Sequence, residues 1–398
     1  MLNKILVAIL LGIIQVSTTC DVNNRDESGT NDVINRDESG NNAVVGRDEE
    51  AGSTLRKLEE KMFTQLLRDE QRKEKKNMVY SPYGIFSIIK SMSALLDKEH
   101  RAAVKTALGL DPNHVDVIKP SITSPELKEA NKIWIDSKFE LDSEMKKKYK
   151  QIIEQIVMKG HVTETRDVIN KWVSNHTMGM IRELLTPDSI ITDYSVLVVN
   201  TLAFHGHWKM PFKPEQTKEM DFHLSENEKV KVKMMFGSIK GRFHRGENFE
   251  IVEIPYAGDR YSFCIVLPGQ TDPAKRKDIT EILESKMTRP IKIQVFLPKF
   301  KITSDFVLNK VLRTAGFNSL FSRIAAVKNA DINFMDVIQK VAIEVNEEGT
   351  KASAGSLGAS GRSMPLRVTV DRPFEFMIRD VKEKKTLFHG FVQKPEFE

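Results

Sequence analysis

The run Glu347-Glu348-Gly349-Thr350-Lys351-Ala352-Ser353-Ala354-Gly355 is the part of this chain whose residue types and spacing most constrain its chemistry. It follows Val341-Ala342-Ile343-Glu344-Val345, an alternating pattern that reads as a strand. If strand geometry continues, Thr350, Ala352, Ala354, Ser356, Gly358 and Ser360 share one face, because successive side chains alternate. All six are small, so that face can slide beneath a layer already packed. Lys351, Ser353, Gly355 and Leu357 take the other face, where a lysine stays in water. The chemistry open to such a segment is backbone hydrogen bonding. It can serve as an exposed loop or as a buried strand, which is what a switch requires.

Other reactive residue types are sparse. Of two cysteines, Cys20 sits near the N-terminus and Cys264 lies in the β-like run Tyr261-Ser262-Phe263-Cys264-Ile265-Val266-Leu267. Nothing near Cys264 in sequence would stabilise a thiolate, so it reads as a buried, inert thiol rather than a nucleophile. Two cysteines are also too few for a disulfide scaffold. His205 and His207 fall on one strand face and could ligate a metal, but surface histidines account for them more simply. No phosphate-cradling glycine loop, paired catalytic carboxylates or nucleic-acid motif emerges. The chain therefore reads as a protein that is not itself an enzyme, needs no cofactor and takes no nucleic acid. Lys146-Lys147-Lys148-Tyr149-Lys150 and Arg72 to Lys76 are basic clusters that could bind heparin-like polyanions weakly, although a solvated charged face explains them as well. Asn175-His176-Thr177 is a glycosylation sequon.

Glu-Glu-Gly-Thr followed by small residues resembles the hinge of the reactive-centre loop in inhibitory serpins, and further segments agree in the same order. Asn77-Met78-Val79-Tyr80-Ser81-Pro82-Tyr83-Gly84-Ile85 is similar to the family's Asn-x-x-Phe-Ser-Pro-x-Ser-Ile. Val199-Asn200-Thr201-Leu202-Ala203-Phe204-His205-Gly206-His207-Trp208, with Pro211-Phe212, is similar to Val-Asn-Ala-x-x-Phe-Lys-Gly-x-Trp-x-x-Pro-Phe. Lys233-Met234-Met235, Pro255-Tyr256, Leu267-Pro268, Leu297-Pro298-Lys299-Phe300, Arg372-Pro373-Phe374 and Leu387-Phe388-His389-Gly390 complete the series. The resemblance runs from Leu55 to the C-terminus.

The resemblance implies an α+β serpin fold: a large central β-sheet, further sheets, eight or nine helices and an exposed loop over 347–372. It implies a monomeric suicide inhibitor that forms a covalent complex with a serine protease. Its hinge would be Glu347, Glu348, Gly349, Thr350, Ala352 and Ala354, and its breach and shutter Trp208, Asn200, Ser81 and Gln339. Counting forward from Gly349 by the family spacing places Ser363 before the cut, whereas counting back from Pro373 places Arg362 there, so the loop is one residue short. Gly361-Arg362-Ser363-Met364 resembles baits for trypsin-like proteases, and Arg362-Ser363 is the preferred reactive bond. Arg367 is a second possible contact for the protease, with a solvated charge the simpler reading. The alternatives are a non-inhibitory carrier serpin, usually marked by bulky or charged residues on the inserting face, and an inhibitor aimed at cysteine proteases. Three departures accompany the match. The stretch from Leu108 to Ala130 is too short and proline-rich for the family's helix D, the approach to the hinge strand between Asp331 and Gln339 is shortened, and the shutter carries Gln339 and Gly84 where histidine and serine are usual.

The elements that must position these residues are partly legible. Leu55 to Leu67, Ile85 to Leu96, Ala102 to Leu108, Ser143 to Ile153, Thr163 to Leu185 with Trp172, and Val307 to Ala315 read as helices, Asn131 to Ile135 as a strand, and strands dominate from Val196. Trp172 and Trp208 read as packing residues. Residues 1–19 read as a secretory signal, with Lys4, the apolar run Ile5 to Ile14 and the small-residue zone Ser17-Thr18-Thr19-Cys20. That run is too short to span a bilayer, so the expectation is a secreted, extracellular protein with no membrane anchor. Residues 20–52 form an acidic extension in which Arg-Asp-Glu recurs at Arg25, Arg36 and Arg47, and its composition favours disorder. With that extension (net −6) and Lys4 removed, the chain's +5 becomes +10 for the body, 53–398, expected to be one domain.

Overall fold

The computed structural model describes residues 58–68, 76–109, 124–158, 160–189, 195–267, 279–322, 324, 327–328, 335–349 and 366–397. The signal, the acidic extension, Cys20, the Pro-rich stretch expected to replace helix D, and the loop from Thr350 through Ala352, Ala354, Arg362 and Ser363 lie outside these residues.

Two sheets carry the fold. The central one has five strands in the order β10-β11-β4-β2-β3: Phe300–Val307, Met335–Val345, Val196–Phe204, Leu127–Asp136 and Ile153–Ile156. The other has nine. Its path is β1-β14-β13-β8-β7-β6-β9-β12, and β5 also pairs with β6. These strands are Met78–Tyr80, Lys385–Val392, Phe374–Asp380, Tyr261–Leu267, Glu250–Pro255, Lys229–Arg245, Ile291–Pro298, Leu366–Thr369 and, for β5, Lys218–His223.

Burial explains the strand sequences. β4 (VLVVNTLAF) is buried at every position because both of its faces are covered, so no polar alternation is needed. Val196 and Val198 pack into the helical core on one side, whereas Leu197 and Val199 pack with Trp134, Ile338 and Ala342 on the other. β10 (FKITSDFV) lies at the sheet edge and alternates strictly between buried and exposed.

Seven α-helices lie among the described residues: α1 over 58–68, α2 Pro82–Ser93, α3 Lys98–Ala107, α4 Ser143–Lys148, α5 Val162–His176, α6 Ile279–Ser285 and α7 Asn309–Thr314. Ser81 caps α2, accepting from Gly84 N at 2.9 Å, and Pro82 occupies the first turn, where its missing N–H costs nothing. Asp97 and Asp142 cap α3 and α4 likewise.

Three helix boundaries differ from the sequence pattern. The helix expected over Ser143 to Ile153 ends at Lys148, and Ile153 instead opens β3 beside β2. The one expected over Thr163 to Leu185 ends at His176, because Met178 and Gly179 take φ of 54° and 73° and reverse the chain. Val307 closes β10 instead of opening a helix. β4 likewise stops at Phe204, so His205 and His207 lie past the strand, with ring centroids 6.2 Å apart.

Candidate functional site

The central sheet is antiparallel except at two places, β2 against β3 and, at its centre, β4 against β11. Nine residue pairs form that central parallel seam, from Met335 opposite Val196 to Ile343 opposite Phe204. β11 runs straight into Asn346, Glu347, Glu348 and Gly349.

Past Val345 the chain is held by the segment that follows β4. Trp208 Nε1 donates to Asn346 O at 2.9 Å, Phe212 N donates to Glu347 O at 2.9 Å, and Trp208 N donates to Glu348 O at 3.4 Å. Trp208 is fixed in turn by a parallel stack on Tyr256, with centroids 4.5 Å apart, and by edge contacts with Phe212 and Phe263. The carboxylate of Glu347 accepts from Thr217 Oγ1 at 2.7 Å and pairs with Lys299 Nζ at 2.8 Å. Burial opposes ionisation of Glu347, but these two partners outweigh it and hold the carboxyl below its ordinary range. Gly349 sits at φ +56°, and a Cβ there would run into Trp208 N and stand 2.8 Å from Gly206 O. Both its conformation and the close approach of Trp208 require glycine. Glu348 N donates to Asn346 Oδ1 at 3.1 Å, closing a tight turn at which the chain leaves the sheet.

Halfway along the seam a second cluster holds the two strands together. Gln339 and Asn200 are register partners, and Asn131 faces Asn200 on the next strand, so three amides cross β11, β4 and β2. Gln339 Nε2 donates to Asn200 Oδ1 at 2.8 Å and to Ser81 O at 3.0 Å, while Gln339 Oε1 accepts from Ser81 N at 2.8 Å. Asn200 Nδ2 donates to Asn131 Oδ1 at 2.8 Å, and Asn131 Nδ2 donates to Ser87 Oγ at 2.7 Å. Ser81 Oγ reaches the other sheet, donating to Leu387 O at 2.6 Å. Ser81, Asn200 and Gln339 are fully buried, so the bonds they make with one another are made away from water, where leaving one unmade is costly.

The two shutter departures belong together. A Cβ on Gly84 would meet Asn200 Oδ1, Leu202 Cδ1 and Gln339 Nε2, so the space a serine would need is occupied by the Gln339–Asn200 pair. The network consists of amides and hydroxyls and contains no histidine.

The structure therefore brings Glu347, Glu348 and Gly349 against Trp208, and Gln339 and Asn200 against Ser81. Asn175 is exposed near the end of α5, while Thr177 of its sequon is buried. Lys146, Lys147, Lys148 and Lys150 are all exposed, with Lys146 donating to Gln155 Oε1 at 2.8 Å. Cys264 is buried, and that burial, with Glu253 nearby, pushes its thiol far above the ordinary range. Among the described residues no group of three His, Cys, Asp or Glu side chains is placed to hold a metal, and no helix is long and apolar enough to cross a membrane.

Four participants escaped the sequence reading. Lys299 and Tyr256 stood inside recognised motifs without a role, and Thr217 carried no local signal at all. Asn131 was read only as the start of a strand, although an Asn on a strand buried by its neighbours asks for a partner.

Comparison with known proteins agrees with this geometry. Residues 57–395 match the family model described as Serpin (serine protease inhibitor). A serine protease inhibitor from Cyanea capillata is 29% identical over 349 residues, covering 80% of this chain and 93% of the relative. Plasminogen activator inhibitor 1 from Bos taurus is also 29% identical, covering 84% and 90%. The crystal structure of native protease nexin-1 with heparin superposes with a TM-score of 0.73 at 27% identity, covering 87% of this chain and 99% of that one. Uncleaved ovalbumin, at 22% identity and a TM-score of 0.72, shares the fold. Matched to that family model over residues 57–395, most of its length, the chain belongs to the serpin family.

Proposed function

We propose that this chain is a secreted inhibitor of trypsin-like serine proteases that acts once, by being cut. The protease serine attacks the carbonyl carbon of Arg362, the Arg362–Ser363 bond breaks, and the Ser363 amine leaves with the proton. Arg362 then stays esterified to the enzyme. An arginine suits such enzymes because a carboxylate buried in their specificity pocket holds the guanidinium bidentately. The freed hinge segment enters between β4 and β11 and drags the protease with it, distorting its active site before the ester is hydrolysed.

The single observation that carries this reading is the parallel β4–β11 seam leading directly into a clamped hinge. A strand that turns back at Gly349 and enters the seam runs antiparallel to both walls, replacing one parallel pairing by two antiparallel ones. Roughly ten added ladder bonds at about 1 kcal/mol each put the driving force on the order of 10 kcal/mol. The small face headed by Thr350, Ala352 and Ala354 keeps entry free of steric cost, which favours an inhibitor over a carrier.

The loop count, one residue short, favours an accompanying substrate reaction. A tighter tether lets some acyl-enzyme hydrolyse before the trap closes, so the stoichiometry of inhibition exceeds one. Glycosylation at Asn175 and export through residues 1–19 complete the reading, and the exposed lysines of α4 are the first place to look for weak binding of a sulfated polysaccharide.

Mixing with trypsin, a denaturing gel and mass spectrometry of the fragments test it. A gel-stable complex with a C-terminal fragment beginning at Ser363 is the expected result. Cleavage there with no complex refutes the trap and leaves a substrate loop, and a thioester-linked complex with a cysteine protease redirects the target class.

A further inference from the structure

We infer that the outer face of the β6–β9–β12 sheet is an accessory docking surface for the acidic rim of the protease that cuts the loop. This rests on the proposed reactive bond, and extends it to what selects among enzymes that all accept arginine.

Position comes first. Ser363 precedes Arg367 by four residues, so the two lie within about 14 Å whatever the intervening conformation. A protease seated over the Arg362–Ser363 bond therefore overhangs the start of β12. There the pairing places Arg367 opposite Gln294 of β9, and Gln294 opposite Ser238 of β6. Phe236 faces Phe296 one row to one side, and Lys240 faces Lys292 one row to the other. These side chains share one face, since directly opposed residues point the same way.

The chemistry of that face is one-sided. Arg367, Lys240 and Lys292 are exposed, and none of them pairs with a carboxylate among the described residues. The contrast with the adjoining hairpin is informative. There Lys229 and Lys231 are neutralised by Asp221, and Lys233 by Glu219. The guanidinium of Arg367 lies 4.4 Å from the centroid of Phe296, whose ring is 4.7 Å from that of Phe236. The ring holds the arginine in place, so little side-chain entropy is lost when a partner carboxylate arrives. A pre-ordered arginine on an aromatic base, flanked by unneutralised lysines, is the kind of patch that accelerates and orients encounter with an acidic surface.

The test measures the rate constant for loop cleavage by trypsin and several arginine-specific proteases whose rims beyond the cleft differ in charge. It compares the wild type with K240E/K292E/R367E and with Arg367→Ala. Against acid-rimmed enzymes the triple variant should be cut at least about tenfold more slowly at low ionic strength, with most of the difference lost near about 0.5 M salt. Arg367→Ala, which leaves the strand pairing intact, should fall about threefold and serves if the triple variant does not fold. Rates within twofold for every enzyme would overturn the proposal. So would a loss equally large at high salt, or a change confined to heparin affinity, which would make the face a polyanion site. Cleavage without a complex would end the trapping mechanism while the rates still judged this face. A complex at unchanged rates would do the reverse, and a loop that no enzyme cuts would overturn both.

Discussion

Replacing Gly84 by alanine should destabilise this protein, although alanine is the better helix former by about 1 kcal/mol. Gly84 lies in the first turn of α2, directly above the seam. The added methyl would run into Asn200 Oδ1, and would stand 2.5 Å from Leu202 Cδ1 and 2.9 Å from Gln339 Nε2. Overpacking of a filled core costs about 1–3 kcal/mol. Pushing Asn200 off Gln339 leaves a buried amide short of a partner, at about 1–3 kcal/mol more. After the helical gain the net loss is about 3 kcal/mol. A body of roughly 340 residues unfolds with about 0.7 kcal/mol per kelvin of entropy, so the melting temperature should drop by about 4 °C. Circular dichroism at one fixed scan rate measures this, because the transition of such a protein can be kinetically controlled. The same substitution made in an Asn200→Ala background should cost less, since the nearest of the three atoms it strikes is gone and only Leu202 and Gln339 remain to be displaced. A Gly84→Ala protein that melts at or above the wild type would refute the steric argument and leave only the helix propensity.

Three further outcomes are expected. The carboxyl of Glu347 is held below its ordinary value of 4.5, so its stabilising contribution is complete above that pH and is lost as pH falls through the lowered value. The melting difference between wild type and Glu347→Gln should therefore be constant from pH 7 to about 5 and shrink below about 4.5; a difference that persists unchanged in acid would contradict the clamp. In a Cys20→Ser chain, Cys264 should resist a thiol reagent at pH 8 while folded and react fully in denaturant, because burial keeps it protonated. Thr350→Arg puts a long cation on the inserting face. Cleavage at Arg362–Ser363 should continue at an unchanged rate while the covalent complex disappears, and a complex formed in normal yield would rule out entry by that face.

The motifs in this chain were legible because each is a local sequence with a fixed job. Ser81-Pro82 starts a helix, Gly349 lets the backbone turn at a positive φ, and the alternation of Val341 to Val345 marks a strand. Helix ends were less legible. Ser143 to Ile153 keeps a helical pattern, yet Ile153 leaves it to pair beside Ile133, a contact that sequence separation conceals. Gln339 and Gly84 looked like two independent departures in the shutter, because they lie 255 positions apart in the chain. They proved to be one adjustment, in which an absent side chain makes room for an amide pair.

From sequence alone follow the family, the small-residue run after Gly349, the candidate bait Arg362 and the basic body, because these depend on residue type and order. Tertiary structure decided what surrounds them. It set the parallel β4–β11 seam, the grip of Trp208, Thr217 and Lys299 on Asn346 and Glu347, the all-amide ladder of Gln339, Asn200 and Asn131, and the stacking of Arg367 on Phe296. Each of these joins residues far apart in the chain, and their energies come from burial and partner geometry, which exist only once the sheets have closed.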